Sequence, residues 1–296
     1  MLQASSPSVR TVSQCKTLDV RGVRYNLRTW GDAAHPPILM LHGTQDSSVT
    51  FQFVVDRLRK KWCVYAPDWR GHGHSEWVRQ GYWFHEFVAD LDALVDILFP
   101  GRAVPIVGHS MGGNIAGVFA GLRPDRLSHL ISLDGFGPLV DRIPVDILGT
   151  LQGYLGLAKQ ERQHSSYATL GEVAARLARA NSNLTQEQAL FLAEGSTSMT
   201  EDGGRRWLFD PSHQKSLPTL HSMDEWGTIS SAIRVPVYWI SSEDERPTSP
   251  VNVPGELEAR SSAISNIRRL RLRGTGHNMH HDAPERVAEE IESFLT

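Results

Sequence analysis

The chain has 296 residues, of which 40% are hydrophobic, so it is long enough for one large α/β domain with an insertion. Its 30 Lys and Arg residues against 33 Asp and Glu residues give a formal charge of −3, which argues against a nucleic-acid partner or an anionic membrane surface. The N-terminus has no basic segment followed by an apolar core, and no stretch reaches the length of a membrane span. We therefore expect a cytoplasmic protein that acts on a small molecule, and its oligomeric state is left open.

Strand-like segments alternate with helical patterns along most of the chain. In order, the strand-like segments read TLDV, VRYNLRTW, PILMLHG, WCVYAPDW, AVPIVGHS, LSHLISLD, VPVYWISS and IRRLRLRG. Apolar residues recur at helical spacing over 49–60, 83–99 and 111–122. Strands joined by helices predict an α/β fold, with an eight-stranded, mostly parallel sheet and helices on both faces.

The alternation stops between residues 137 and 228, where helical stretches such as GEVAARLARAN and TQEQALFLAEG follow one another. We expect a helical cap over 137–228, inserted into a core formed by 1–136 and 229–296. Thr185, followed three residues later by Gln188, predicts a capping box at the start of one cap helix.

The strongest signal for chemistry is the segment IVGHSMGGN, which places Ser110 at the centre of a G-x-S-x-G motif. The motif follows an apolar strand and precedes a helical stretch, which is the context that a serine on a sharp strand-to-helix turn requires. Glycines two residues to either side remove the Cβ atoms that would collide in such a turn. We predict that Ser110 is a nucleophile; the alternative is a glycine-rich turn with an incidental serine.

Two backbone N–H groups are candidates for stabilising an oxyanion beside Ser110. The N–H of Met111 lies at the start of the following helix, where the helix dipole favours negative charge. The N–H of Thr44 lies in the loop after the strand LMLHG, and this loop is expected to face the nucleophile turn. We predict an oxyanion hole made by Thr44 and Met111.

A serine needs a base to become nucleophilic, and His277 is the best placed of the 13 histidines. It follows the last predicted strand and precedes the last helix, which puts it at the carboxyl edge of the sheet with Ser110. His280 and His281 follow closely, so the cluster could also be interpreted as a set of metal ligands. Because no spacing such as H-E-x-x-H is present, we predict no metal and no cofactor.

A carboxylate must orient the base, and two places in the sequence satisfy the chain order serine, acid, histidine. Asp134 ends the strand-like segment LSHLISLD and is followed by Gly-Phe-Gly. Asp244 and Glu245 lie in the segment SSEDE after the next strand. The residues alone leave both places open, since Asp134 could instead cap a turn and SSEDE could be an exposed acidic loop.

The sequence resembles the α/β-hydrolase superfamily over nearly its whole length. The motifs that carry the resemblance are LHGTQDSS, APDWRGHGHS, VGHSMGGN, the insertion at the cap position and GTGHNMHHDAPERVAEEIESFL. The resemblance implies an eight-stranded sheet with a helical cap, with Ser110 as nucleophile and His277 as base. It also implies that Thr44 and Met111 donate to the oxyanion. The sequence looks most similar to serine-hydrolase-like proteins, whose sixth strand ends in an L-D/E-G-F-G pattern.

The same resemblance bears on the choice of acid. Most members of the superfamily carry a G-x-x-D pattern after the seventh strand, whereas here Ser242 replaces the glycine and Glu245 occupies the place of the aspartate. Dehalogenase relatives carry their acid after the sixth strand, at the position matched by Asp134. The resemblance therefore favours Asp134, with Glu245 or Asp244 as the alternative acid.

A serine nucleophile with a histidine base fits acyl transfer through an acyl-enzyme that water resolves. We expect hydrolysis of a carboxylic ester, lactone or thioester with an apolar acyl or aryl group. Trp207, Phe209 and Trp226 are candidates for lining the substrate pocket. Three alternatives remain open: a carbon–carbon bond hydrolase of the meta-cleavage type, a perhydrolase, and a ligand-binding homologue without catalysis.

Overall fold

A computed structural model describes residues 10–78, 82–137, 147–159, 164, 166–215, 222–243 and 252–296. Its main feature is one eight-stranded sheet. The strands of this sheet are β1 (Ser13–Val20), β2 (Val23–Trp30), β3 (Pro37–Leu41), β4 (Cys63–Pro67), β5 (Val104–His109), β6 (Leu127–Leu133), β9 (Val237–Ser241) and β10 (Ile267–Arg271). A separate two-stranded hairpin consists of β7 (Thr197–Met199) and β8 (Arg205–Trp207).

The strand order of the main sheet is β1-β2-β4-β3-β5-β6-β9-β10. Strand β2 is antiparallel to both of its neighbours, whereas the remaining neighbours are parallel. The predicted mostly parallel sheet is thereby confirmed. Because parallel strands end at the same edge, the segments that follow β3, β5, β6, β9 and β10 all meet there.

The helices are α1 (Gln52–Val55), α2 (Phe84–Leu98), α3 (Met111–Leu122), α4 (Ile147–Ala158), α5 (Leu170–Ala180), α6 (Gln186–Ser196), α7 (Met223–Ser231), α8 (Glu256–Ser261), α9 (Met279–Asp282) and α10 (Pro284–Leu295). Short 3-10 segments span Ser48–Phe51, Pro124–Arg126 and Pro211–Lys215. Across the described ranges, every helix is too short or too polar to cross a lipid bilayer.

The helices predicted over 83–99 and 111–122 correspond to α2 and α3. The prediction over 49–60 is wrong in its second half, because a 3-10 turn leads into α1, which ends at Val55. The backbone N–H groups of Arg59 and Lys60 donate instead to the carboxylate of Glu292 in α10. This side-chain acceptor replaces the carbonyl partners that a longer helix would have supplied.

Two apolar clusters cover the two faces of the sheet, which explains why its central strands are apolar without alternation. In β3, Leu39 faces the cluster formed with α2, whereas the adjacent Met40 faces the cluster formed with α10. Leu91 of α2 and Ile291 of α10 are fully buried in these clusters. Successive residues of a strand point to opposite faces, so burial of both faces requires an apolar residue at every position.

Within the predicted cap, α5 and α6 pack together and share a small apolar core with the β7–β8 hairpin. Val173, Ala193 and Trp207 lie in this core. The predicted capping box is confirmed: the Thr185 hydroxyl accepts the Gln188 N–H at 3.2 Å, and the Gln188 side chain accepts the Thr185 N–H at 2.9 Å.

Helix α7 packs against α3 in the core. A Cβ on Gly121 of α3 would lie 2.4 Å from the carbonyl oxygen of Ile229, so only glycine allows this approach. Trp226 is buried in the same cluster as α2 and α3. Since the boundary predicted at residue 228 falls inside α7, we propose that the cap ends before Met223.

Candidate active site

Ser110 occupies a strained turn between β5 and α3. Its φ of 50° and ψ of −115° lie outside the regions that a serine ordinarily adopts. The turn is tight on both sides: a Cβ on Gly108 would lie 2.5 Å from the Gly112 carbonyl oxygen, and one on Gly112 would lie 2.3 Å from that of Leu41. The structure thus has the strand, turn and helix that the G-x-S-x-G motif predicts, with Ser110 partly exposed.

The loop after β3 brings Thr44 next to the start of α3. The Thr44 hydroxyl lies 3.4 Å from the sulfur of Met111, and a Cβ on Gly43 would lie 3.3 Å from the Cβ of Ser110. The Met111 N–H belongs to the first turn of α3, where N–H groups have no partner inside the helix. The two proposed oxyanion donors therefore lie in adjacent segments beside Ser110.

His42 anchors this loop. Its Nε2 accepts the backbone N–H of Trp69 at 2.9 Å, which leaves the proton on Nδ1 for the carbonyl oxygen of Gly43 at 2.8 Å. The Trp69 indole N–H donates to the His42 carbonyl at 3.0 Å. Burial lowers the pKa of His42 to about 4, so the ring is neutral at pH 7 and keeps this pattern of donors and acceptors.

His277 lies between Ser110 and Asp134. Its Nε2 is 3.0 Å from the Ser110 Oγ, and its Nδ1 is 3.0 Å from the Asp134 Oδ2. The backbone of Asp134 follows β6 with a φ of 53°, and its N–H donates to the carbonyl of Ile240 in β9 at 2.9 Å. The structure therefore brings together the serine, histidine and strand-six aspartate, in the geometry of a hydrogen-bonded triad.

Ser242 is the residue at this site that the sequence analysis did not assign a role. Its N–H donates to the Asp134 Oδ1 at 2.8 Å and its hydroxyl donates to Oδ2 at 2.5 Å. Ser242 is fully buried, and the Asp134 side chain is 1% exposed. The serine therefore supplies two hydrogen bonds that stabilise a buried carboxylate. Ser242 replaces the glycine that is usual after the seventh strand of the main sheet, which is β9 here. This replacement is the sequence signal that could have identified Ser242.

The alternative acids, Asp244 and Glu245, lie outside the described residues. The residue before the nucleophile, by contrast, is described. His109, next to the nucleophile, is buried, and its Nε2 lies 2.9 Å from the carbonyl oxygen of His277. Since a carbonyl only accepts, His109 donates this hydrogen bond and tethers the backbone of the base.

The three candidate pocket residues lie in different surroundings. Trp207 and Phe209 stack at 6.0 Å in the cap, and Trp207 also lines a cleft of about 290 Å³ with Trp77 and Arg24. Trp226 does not support the pocket prediction, because it is 1% exposed in the main core and its indole N–H donates to a backbone carbonyl at 2.7 Å.

The chain belongs to the α/β-hydrolase family, since a sequence profile of that family, described as alpha/beta hydrolase fold, matches residues 36–284. Over 279 residues it is 28% identical to a serine hydrolase-like protein of Danio rerio, covering 90% of this chain and 84% of that one.

Solved structures give the same fold. The thioesterase domain from the curacin biosynthetic pathway matches with a TM-score of 0.85 and 27% identity, covering 95% of this chain and 99% of that chain. An esterase from Mycobacterium tuberculosis matches with a TM-score of 0.71 and 18% identity, covering 98% of this chain and 92% of that chain, and supports the fold alone.

Proposed function

We propose that the protein is a serine hydrolase that cleaves a carboxylic ester, lactone or thioester through an acyl-enzyme. The observation that carries this proposal is the pair of 3.0 Å contacts that His277 makes with Ser110 and Asp134. The similarity to a thioesterase domain, at 27% identity and a TM-score of 0.85, favours acyl transfer over other chemistry. A carboxylic acyl group is the electrophile that all three substrate types share.

The geometry supports the following order of steps. His277 Nε2 takes the proton of the Ser110 hydroxyl as its oxygen attacks the acyl carbon, and Asp134 stabilises the imidazolium that forms. The N–H groups of Thr44 and Met111 stabilise the oxyanion of the tetrahedral intermediate. The leaving alcohol or thiol receives the proton from His277. Water then attacks the acyl-enzyme by the same route, which regenerates Ser110.

A fluorophosphonate probe tests the nucleophile directly. We expect one label per folded chain, at Ser110, and no label in Ser110→Ala. A folded protein that binds a ligand but does not react with the probe would instead be a non-catalytic homologue, and the proposal would be wrong.

A substrate panel tests the reaction class. p-Nitrophenyl esters from acetate to palmitate, with matched lactones and thioesters, are expected to give turnover that Ser110→Ala abolishes. We propose that Trp207 and Phe209 face the acyl or aryl group, so Phe209→Ala is expected to raise KM most for the larger apolar esters. Turnover confined to a meta-cleavage dienone would refute the esterase proposal and support a carbon–carbon bond hydrolase.

A further inference from the structure

A group of imidazoles packs next to the catalytic histidine. The ring centroids of His109 and His277 are 4.9 Å apart, and those of His109 and His280 are 4.3 Å apart. Asp46 faces the same group, so that one donor atom from each of Asp46, His109 and His280 lies within 4.8 Å of the others. We refer to Asp46, His109 and His280 as the histidine cluster. The proposed reaction uses none of these three side chains directly.

The hydrogen bonds of His109 fix which of its ring nitrogens carries the proton. Its Nε2 donates to the carbonyl oxygen of His277, so Nδ1 holds a bare lone pair. This Nδ1 is buried and has no hydrogen-bond partner. His109 is 3% exposed, so a solvent molecule at the surface does not satisfy it.

Thr50 lies between two of the imidazoles. Its hydroxyl oxygen is 2.8 Å from the Nε2 of His280 and 2.6 Å from the Nε2 of His281. The hydroxyl has one hydrogen, so at least one of the two imidazoles donates to it through Nε2. The Nδ1 of His280 is buried and has no hydrogen-bond partner, and it presents a lone pair when the ring proton is on Nε2.

The three side chains are of the types that ligate a metal ion. His109 and His280 each have a buried Nδ1 without a hydrogen-bond partner, and Asp46 adds a carboxylate oxygen. Imidazole nitrogens and carboxylate oxygens are ordinary ligands of divalent metal ions.

We propose that Asp46, His109 and His280 bind one divalent transition-metal ion of the Zn²⁺ class. Two imidazole nitrogens and one carboxylate oxygen suit such an ion better than Mg²⁺ or Ca²⁺, which prefer oxygen ligands alone. Ligands at about 2.1 Å from one ion are about 3.4 Å apart in a tetrahedron, so side-chain movements of about 1 Å bring the atoms into position. A water molecule completes the fourth position.

The surroundings of the cluster agree with this assignment. Metal-bound histidines ordinarily donate their second ring N–H to a carbonyl or other acceptor, as His109 does to the carbonyl of His277. The Thr50 hydroxyl oxygen offers such an acceptor to the Nε2 of His280 at 2.8 Å. Asp46 is half-buried and follows the exposed residues Thr44 and Gln45, which gives an ion a route from solvent.

The site is coupled to the catalytic residues through the chain. Asp46 lies two residues after Thr44, His109 immediately precedes Ser110, and His280 lies three residues after His277. A bound ion therefore joins the three segments that carry the oxyanion donor, the nucleophile and the base. His277 itself stays outside the ligand set, because both of its ring nitrogens contact Ser110 and Asp134.

Zn²⁺ binding to the untagged full chain, measured by titration calorimetry, tests the site independently of the proposed hydrolase activity. We expect saturable binding of one ion per chain, and visible absorption bands when Co²⁺ replaces Zn²⁺. Asp46→Asn and His280→Gln are each expected to weaken binding by about tenfold or more. His85→Gln, which removes an exposed imidazole of α2, is the matched control and is expected to bind as the unmodified chain does.

Circular dichroism checks that each variant folds. If His280→Gln does not fold, Asp46→Asn decides the test, because it keeps the size of a half-buried side chain. Two results would overturn the proposal: no saturable binding to the unmodified chain, as expected if a buried water bridges the cluster, or undiminished binding in either folded variant.

Discussion

Replacement of Ser242 by alanine tests whether the acid of the triad depends on its contacts with β9. The substitution removes the hydroxyl that donates to Asp134 Oδ2 at 2.5 Å and leaves the N–H that donates to Oδ1 at 2.8 Å. Oδ2 is also the atom that accepts from His277 at 3.0 Å. The variant therefore removes one of the two interactions that hold this oxygen in place.

The size of the effect follows from the type of hydrogen bond. A hydrogen bond to a buried ionised group contributes about 1.5–3 kcal/mol to stability, so the free energy of unfolding should fall by that amount. Only the part of this energy that orients the carboxylate toward His277 affects catalysis. If that part is about 1.4 kcal/mol, kcat falls about tenfold. KM should not change, because Ser242 is fully buried and does not meet the substrate.

The assay is steady-state hydrolysis of the best p-nitrophenyl ester, with Ser241→Ala as the matched control. Ser241 is the adjacent buried serine, and its hydroxyl donates to the Leu270 carbonyl at 3.3 Å, away from Asp134. We expect Ser241→Ala to leave kcat and KM unchanged. An equal loss in both variants, or a change in KM without a change in kcat, would refute the role of Ser242 as a positioning residue.

Two further predictions concern the core and the buried imidazoles. Trp226→Ala should lower the free energy of unfolding by about 3–5 kcal/mol and leave the preference among acyl chain lengths unchanged. An altered preference at unchanged stability would indicate that Trp226 lines the substrate pocket. Lowering the pH from 7 to 5 should destabilise the fold in urea unfolding. The reason is that burial lowers the folded-state pKa of His42 and of His281 to about 4, below the 6.5 of an unfolded histidine. Protons therefore bind preferentially to the unfolded chain, and each ring lowers the free energy of unfolding at pH 5 by about 2 kcal/mol. Asp46 opposes this trend because its folded pKa of about 7 lies above its unfolded value of 3.8. Asp46→Asn should therefore make the free energy of unfolding fall more steeply between pH 7 and pH 5. A free energy of unfolding that rises toward pH 5 in that variant would contradict the account.

The parts of the fold that the sequence predicts are those that depend on local pattern. The central strands of the main sheet are apolar runs, such as PILML in β3, and Ser110 lies in a motif whose strand, turn and helix follow one another in the chain. His277 could be located because it lies between the last strand and the last helix. The failed second half of the helix predicted over 49–60 depends on Glu292, more than 200 residues away, which no local pattern reveals.

The details of the site depend on register and on contacts between distant segments. The role of Ser242 requires that β9 lie beside β6 with Leu133 opposite Ile240, which places the residue after β9 against Asp134. Trp226 is an aromatic residue, a type that is common both in substrate pockets and in protein cores. Only the packing of α7 on α3 shows that it lies in the core. The histidine cluster joins segments more than 60 residues apart, so no ligand spacing could have indicated it.

We propose that Asp134, the residue that follows β6, is the acid of the triad. The most direct test is to compare kcat/KM of Asp134→Asn with kcat/KM of Glu245→Gln and Asp244→Asn. Asn keeps the shape of Asp134 but removes its charge and favours the wrong tautomer of His277, so kcat/KM should fall by about 10⁴-fold. Both variants of the SSEDE segment should hydrolyse the ester as the unmodified chain does. A loss of that size in Glu245→Gln or Asp244→Asn, with Asp134→Asn still active, would contradict the account and assign the acid to the SSEDE segment.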